Sequence, residues 1–195
     1  MTQRVRAFFG LRFRAARKIR QVLDELDSMD RPVKPVDPSG LHVTLKFLGE
    51  IPLTDLPELQ RAFHAAVQGL ASFDVELCGI GAFPKLERPA VVWMGLREPG
   101  TASAPSVKHL ANRLEQQLNP LGFPPEKRAF QPHLTLARIR GRAPQRLMQL
   151  MDDLQTTRFG CQTVTEVHLM AAHSTGRRNA YLNLDSISLQ GECSS

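Results

Sequence analysis

The sequence predicts an α+β domain made of two similar lobes, on three observations. Apolar periodicity switches repeatedly between period 2 and period 3.6 along the chain. The order helix, strand, helix, strand, strand occurs twice. The two occurrences stand about 91 residues apart, so that Ala15 corresponds to Ser106, Thr54 to Gln145, Phe73 to Val164 and His42 to His133. A constant offset over five elements points to a pseudo-twofold axis between two lobes. The Gly/Pro/Ser stretch at 97–106 reads as their boundary. Each half alone would bury little core, so residues 1–195 are read as one domain.

The elements follow in order. "VRAFFGL" (5–11) reads as a strand, and 15–29 as a helix with Ile19, Val22, Leu23 and Leu26 on one face. "LHVTLKFL" (41–48) is a strand. Residues 54–70 form a helix capped by Thr54, with Pro57 in its first turns. Strands at 73–83 and 90–96 are joined through a basic loop, "FPKLERP" (83–89), which could approach phosphates. A helix at 107–118, a strand at 133–138, a helix at 144–154 and strands at 162–172 and 180–189 complete the chain. Trp93 and most phenylalanines read as core.

Composition restricts the function classes. With 42% apolar and 23% charged residues among 195, the chain is ordinary for a globular protein. Three scattered cysteines, Cys78, Cys161 and Cys193, form neither a disulfide framework nor a metal cluster, which suggests reduced thiols and a cytoplasmic location. No signal peptide and no membrane-spanning run is visible. A net charge of +6 and a pI near 9.7 favour anionic partners, nucleotides or nucleic acid first. No P-loop or dinucleotide fingerprint is present.

Two stretches carry chemistry. In "LHVTLKFL", alternation places Leu41, Val43, Leu45 and Phe47 on one face, and His42, Thr44 and Lys46 on the other. "PHLTLAR" (132–138) repeats the pattern, with His133 and Thr135 opposite Leu134 and Leu136. Each copy presents an imidazole and a hydroxyl roughly 7 Å apart. If the lobes face each other, two histidines and two threonines converge. One imidazole can then remove a proton while the other supplies one, and the hydroxyls can hold phosphate oxygens. A third His-x-Thr, "HSTG" at 173–176, reads as a turn and lacks a counterpart at the offset, where Ala82 stands. His64 and His109 fall on helices, and His168 lies on a strand without a threonine partner.

These motifs resemble the two-histidine (2H) phosphoesterase superfamily, and in particular the RNA 2′,3′-cyclic phosphodiesterases also known as 2′–5′ RNA ligases. "HVTLKFLGE", "PHLTLAR", "RAFFGL", "RPAVVWMGL" and Tyr181 carry the resemblance. It implies a duplicated bilobal fold, with two antiparallel sheets flanking a central cleft and helices outside. It also implies hydrolysis of RNA-type 2′,3′-cyclic phosphate ends to 2′-phosphomonoesters. His42 would be the general acid on the departing 3′ oxygen and His133 the base for water. Thr44 and Thr135 would bind the phosphate, and Phe47 and Arg138 the nucleobase. Strict alternation turns Phe47 and Arg138 away from the histidines, so that last assignment requires a bend at the strand ends. The family often has serine where Ala172-His173 stands. The expected partner is RNA or a nucleotide with a 2′,3′-cyclic phosphate, acted on by a monomer without metal or cofactor. A non-catalytic nucleotide- or RNA-binding module, a 2′–5′ RNA-joining enzyme and an ADP-ribose cyclic phosphodiesterase are the alternatives.

Overall fold

The computed structural model describes residues 3–29, 31–98, 106–174 and 179–191. Chain order runs β1 (Arg4–Arg12), α1 (Arg17–Asp27), β2 (Val33–Pro35), β3 (His42–Pro52), α2 (Leu56–Val67), β4 (Phe73–Lys85) and β5 (Arg88–Arg97). It continues through α3 (Val107–Leu118), β6 (His133–Ile139), α4 (Gln145–Asp153), β7 (Arg158–Val164), β8 (Glu166–Ser174) and β9 (Asn179–Ser188). The expected fold class, α+β, is the one observed.

The strands form a strongly curled antiparallel sheet in the order β7-β4-β5-β6-β3-β1-β8-β9, with β2 added on β6. Instead of two separate sheets, hydrogen bonding runs continuously from one end to the other. The junction is slender: β3 and β6 meet through one residue pair, Val43 with Leu134. The stretch at 97–106 is not a seam between the strands that precede it and those that follow. β4 and β5 join β6 and β7, whereas β8 and β9 join β1 and β3. Residues 99–105 of that stretch lie outside the described residues.

Apolar faces explain why the helices lie where they do. Ile19, Val22, Leu23 and Leu26 of α1 are buried, as their spacing predicts. They share one core with Phe63 of α2, Leu110 and Leu114 of α3, and the strand residues Phe9, Leu11, Val43, Leu45, Leu134 and Leu136. Phe9 and Phe63 stack with ring centroids 4.9 Å apart. Each such side chain contributes about 1.5–3 kcal/mol on burial. Helices therefore cover the sheet face to which Val43 and Leu134 point, and the opposite face stays open.

Four local expectations are corrected. Residues 162–172 are not one strand, because the chain breaks at Thr165 between β7, which pairs with β4, and β8, which pairs with β1 and β9. Alternation slips there by one residue: Val164 and Val167 are both buried with two polar residues, Thr165 and Glu166, between them, so the buried set changes phase where the partner changes. Thr54 does not cap α2; it sits in a preceding 3₁₀ turn and its hydroxyl meets Asp55 at 3.1 Å. The "FPKLERP" segment is a hairpin turning tightly at Leu86-Glu87, with Phe83 still in β4. The backbone at His173 and Ser174 is strand, paired with Ala180 and Asn179; residues 175–178 of the expected turn lie outside the described residues.

Candidate active site

The site is organised by the Val43–Leu134 pair. These residues are antiparallel partners, and they are separated by the same 91 positions (43 to 134) as the two histidines (42 to 133). Carried one residue each way, this register sets His42 across from Thr135 and Thr44 across from His133. Directly opposed residues share a face. Val43 and Leu134 point into the core at 0% exposure, so the four polar residues, all half-buried, point to the open face. The structure thus brings together His42, Thr44, His133 and Thr135.

Each histidine is held the same way. His42 Nδ1 lies 2.7 Å from the Gly40 carbonyl and His133 Nδ1 lies 2.8 Å from the Gln131 carbonyl. Gly40 and Gln131 again differ by 91 positions. A carbonyl accepts only, so Nδ1 is the donor and Nε2 is the nitrogen left to work in the groove. Neither threonine hydroxyl has a hydrogen bond among the described residues.

Two β-bulges decide what else reaches this face. Opposite the Phe9/Gly10 step of β1, β3 holds an extra residue, Leu45. Opposite the Val92/Trp93 step of β5, β6 holds an extra residue, Leu136. A bulge puts two residues against one and shifts the phase of every side chain beyond it. Leu45 and Lys46 therefore both turn inward, as do Leu136 and Ala137. Phe47 emerges 65% exposed and Arg138 emerges exposed. The bend that the nucleobase assignment requires is present in both strands. The same bulge corrects Lys46, expected beside His42 and Thr44: it is buried, with its ammonium 3.3 Å from Glu115 and donating to the Pro124 carbonyl.

Phe47 and Arg138 leave the crossing point in opposite directions, and no contact among the described residues joins them. Phe47 packs on Phe8 with ring centroids 6.1 Å apart, and the charge of Arg138 is felt at His42. A base held by both has to lie across the groove.

Phe8, Trp93 and Tyr181 belong to the stretches that carry the family resemblance, but neither alternation nor the 91-residue offset assigns them, or Phe83, a place beside the histidines. His42 lies between Phe8 and Tyr181, at centroid distances of 4.9 and 4.6 Å. His133 lies against Phe83 at 5.0 Å and Trp93 at 6.3 Å. Trp93, read as core, is half-buried and borders the groove, because Gly81 leaves room for it: a Cβ there would sit 2.4 Å from the indole. His168 is buried opposite Gly10 on the same face. His64 and His109 are exposed on α2 and α3.

Gly10 allows the ring of Phe8 to lean over β1 toward His42. A Cβ at position 10 would meet the Val43 carbonyl at 2.8 Å and Met170 Cε at 2.9 Å, with Phe8 at 3.5 Å. Gly10→Ala should therefore destabilise the fold by on the order of 1–3 kcal/mol, an overpacking cost, read as a lowered melting temperature. An unchanged melt would mean that β1 and β3 separate easily.

Burial lowers the pKa of His42, and Arg12, Arg138 and His133 add to the effect; the Gly40 hydrogen bond opposes it. The pKa of His168 is also lowered, by burial first and then by Arg12. Glu166, whose carboxylate lies 3.5 Å from Nε2, and Asn183 oppose that shift.

An antiparallel sheet that presents two His-x-Thr strands side by side on its open face is the arrangement of a two-histidine phosphoesterase. The chain belongs to the 2′-5′ RNA ligase superfamily, whose family model matches residues 13–176. It is 33% identical over 150 residues to the RNA 2′,3′-cyclic phosphodiesterase of Methanothermobacter thermautotrophicus, covering 76% of this chain and 78% of that one. It is 32% identical over 149 residues to the protein of the same name from Aeropyrum pernix, covering 76% and 81%. Among solved structures, E. coli LigT complexed with 3′-AMP superposes with a TM-score of 0.74 at 27% identity, over 97% of this chain and all of that one. A Thermus thermophilus protein gives 0.75 at 29% identity, over 96% and 99%. Among the described residues, no helix is long and apolar enough to cross a membrane, and no group of three or more His, Cys, Asp or Glu could hold a metal.

Proposed function

We propose that the chain is an RNA 2′,3′-cyclic phosphodiesterase, opening RNA-type cyclic phosphate ends to 2′-phosphomonoesters. The observation that carries the reading is the Val43–Leu134 pair, which turns two tautomer-fixed imidazoles, and two hydroxyls without a hydrogen bond among the described residues, onto one face. In this reading residues 1–195 act as one duplicated, two-lobed domain whose motif strands, 41–48 and 133–138, are related by a local twofold. The matching 91-residue offsets of the bulges and of the two carbonyl acceptors support that duplication. Because one chain supplies both histidines, a monomer suffices.

His133 Nε2 takes a proton from water as the water oxygen attacks phosphorus on the side opposite the ribose O3′. The P–O3′ bond breaks, and the proton on His42 Nε2 passes to the departing oxygen. Thr44 and Thr135 hydroxyls donate to the non-bridging oxygens as charge builds on them. Phe47 and Arg138 offer a ring and a planar cation to the base. The side chains supply both proton transfers, so the mechanism assigns no metal or cofactor. A 5′-hydroxyl in place of water would make the same chemistry a 2′–5′ joining reaction.

Purified protein incubated with 2′,3′-cyclic AMP in EDTA should release 2′-AMP and no 3′-AMP, resolved by chromatography. A 3′-AMP product would reverse the assignment of the leaving oxygen. Binding without turnover would replace the enzyme with a nucleotide-binding module.

A further inference from the structure

The two halves of the groove agree in the strands that carry the histidines and differ in the strands beside them. β1 sets Arg12 directly across from His42, whereas β5 sets Gly95 directly across from His133. Opposed residues in an antiparallel pair stand roughly 4.5–5.5 Å apart at Cβ. Arg12 is exposed and its charge reaches both His42 and His168; that of Arg138 reaches His42 from the other strand. Neither guanidinium has an ion-pair partner among the described residues. The one nearby carboxylate in these contacts, Glu166, faces His168. His133, in contrast, is surrounded by Phe83, Trp93 and the bare backbone of Gly95. Among the described residues, the neighbouring strand supplies a guanidinium beside His42 and only a glycine beside His133.

We propose that Arg12, reinforced by the charge of Arg138, forms a second anion subsite for a phosphate on the 5′ side of the terminal nucleotide. That phosphate is either a free 5′-phosphate or the phosphodiester to the preceding residue. The nature of the first phosphate rests on the hydrolase reading above. A guanidinium fork suits phosphate oxygens, and two cations without an ion-pair partner among the described residues attract an anion to the His42 end of the groove. The consequence is orientation as well as affinity. A locally twofold site could accept a cyclic phosphate either way round, and an anchored 5′ phosphate leaves only the presentation that puts the leaving oxygen beside His42.

The test compares 2′,3′-cyclic AMP with its 5′-phosphorylated form and with a dinucleotide ending in a 2′,3′-cyclic phosphate, on wild type, Arg12→Gln and Arg12→Lys. Wild type should favour at least one of the 5′-substituted substrates, and the one favoured names the source of the phosphate. Arg12→Gln should lower kcat/KM for it at least about tenfold more than for 2′,3′-cyclic AMP, the scale of one charge-assisted hydrogen bond. Arg12→Lys should recover part of the difference, and added salt should erase it. Equal losses on all three substrates would overturn the subsite. Calorimetry with adenosine 2′-monophosphate and adenosine 2′,5′-bisphosphate separates the two claims. A bisphosphate preference lost in Arg12→Gln, without turnover of any substrate, keeps the subsite and removes the hydrolase. Turnover with no preference for a 5′ phosphate does the reverse.

Discussion

His42→Ala and His133→Ala should each slow cyclic-phosphate opening by about 10²–10⁴-fold, the range for losing one general acid or base. Each ring meets the fold mainly through one hydrogen bond to a nearby carbonyl, Gly40 or Gln131, and contacts with neighbouring aromatic rings. Both are half-buried at the edge of the groove. The melting temperature should therefore move by only a few degrees, and the rate loss should not be a loss of folded protein. The double variant should be little worse than either single one, because the two groups act in one concerted displacement and their effects are not additive. A variant that retains more than a tenth of the wild-type rate would remove that histidine from the proton transfers.

The pH profile should carry the mark of the surroundings of His42. One imidazole must be protonated and the other neutral, so kcat/KM should be bell-shaped and fall about tenfold per pH unit on either side. Burial, Arg12 and Arg138 place the pKa of His42 below the usual 6.5 in the free protein. One limb of kcat/KM should therefore lie below pH 6.5 and belong to His42. Exchanging the roles of the two imidazoles leaves the shape of the bell unchanged, so the limb reports the surroundings of His42 and the product analysis reports its role. A bound phosphate adds negative charge beside the ring, which favours the imidazolium and raises that pKa. The same limb of kcat should accordingly lie at higher pH than in kcat/KM. Coincident limbs in the two profiles would mean that no phosphate binds beside His42.

Reading the chain as a string succeeded where one residue's surroundings come mainly from its neighbours in sequence. The buried face of α1 follows from the spacing of Ile19, Val22, Leu23 and Leu26. α3 begins and ends where periodicity puts it, with Ser106 accepting from the His109 amide as a cap. The alternation of His42, Val43, Thr44 and Leu45 correctly separates polar from apolar over four residues. It fails at Lys46, where a bulge that only the pairing with β1 creates reverses the phase. The same failure hid the route by which Phe47 and Arg138 return to the open face. β7 and β8 read as one strand because no glycine, proline or asparagine separates them and the phase slips by only one residue, at Thr165-Glu166.

By itself, the sequence determined the helices, the apolar faces, the duplicated His-x-Thr strands and, through these motifs, the family. Tertiary structure alone decided that β8 and β9 cross over to stand beside β1. It also decided that Tyr181 and Phe8 wall one imidazole while Phe83 and Trp93 wall the other, and that Arg12 faces His42 where Gly95 faces His133. Side-chain period is a local property, whereas register and bulges are set by long-range hydrogen bonding between strands, and these choose which residues meet a substrate.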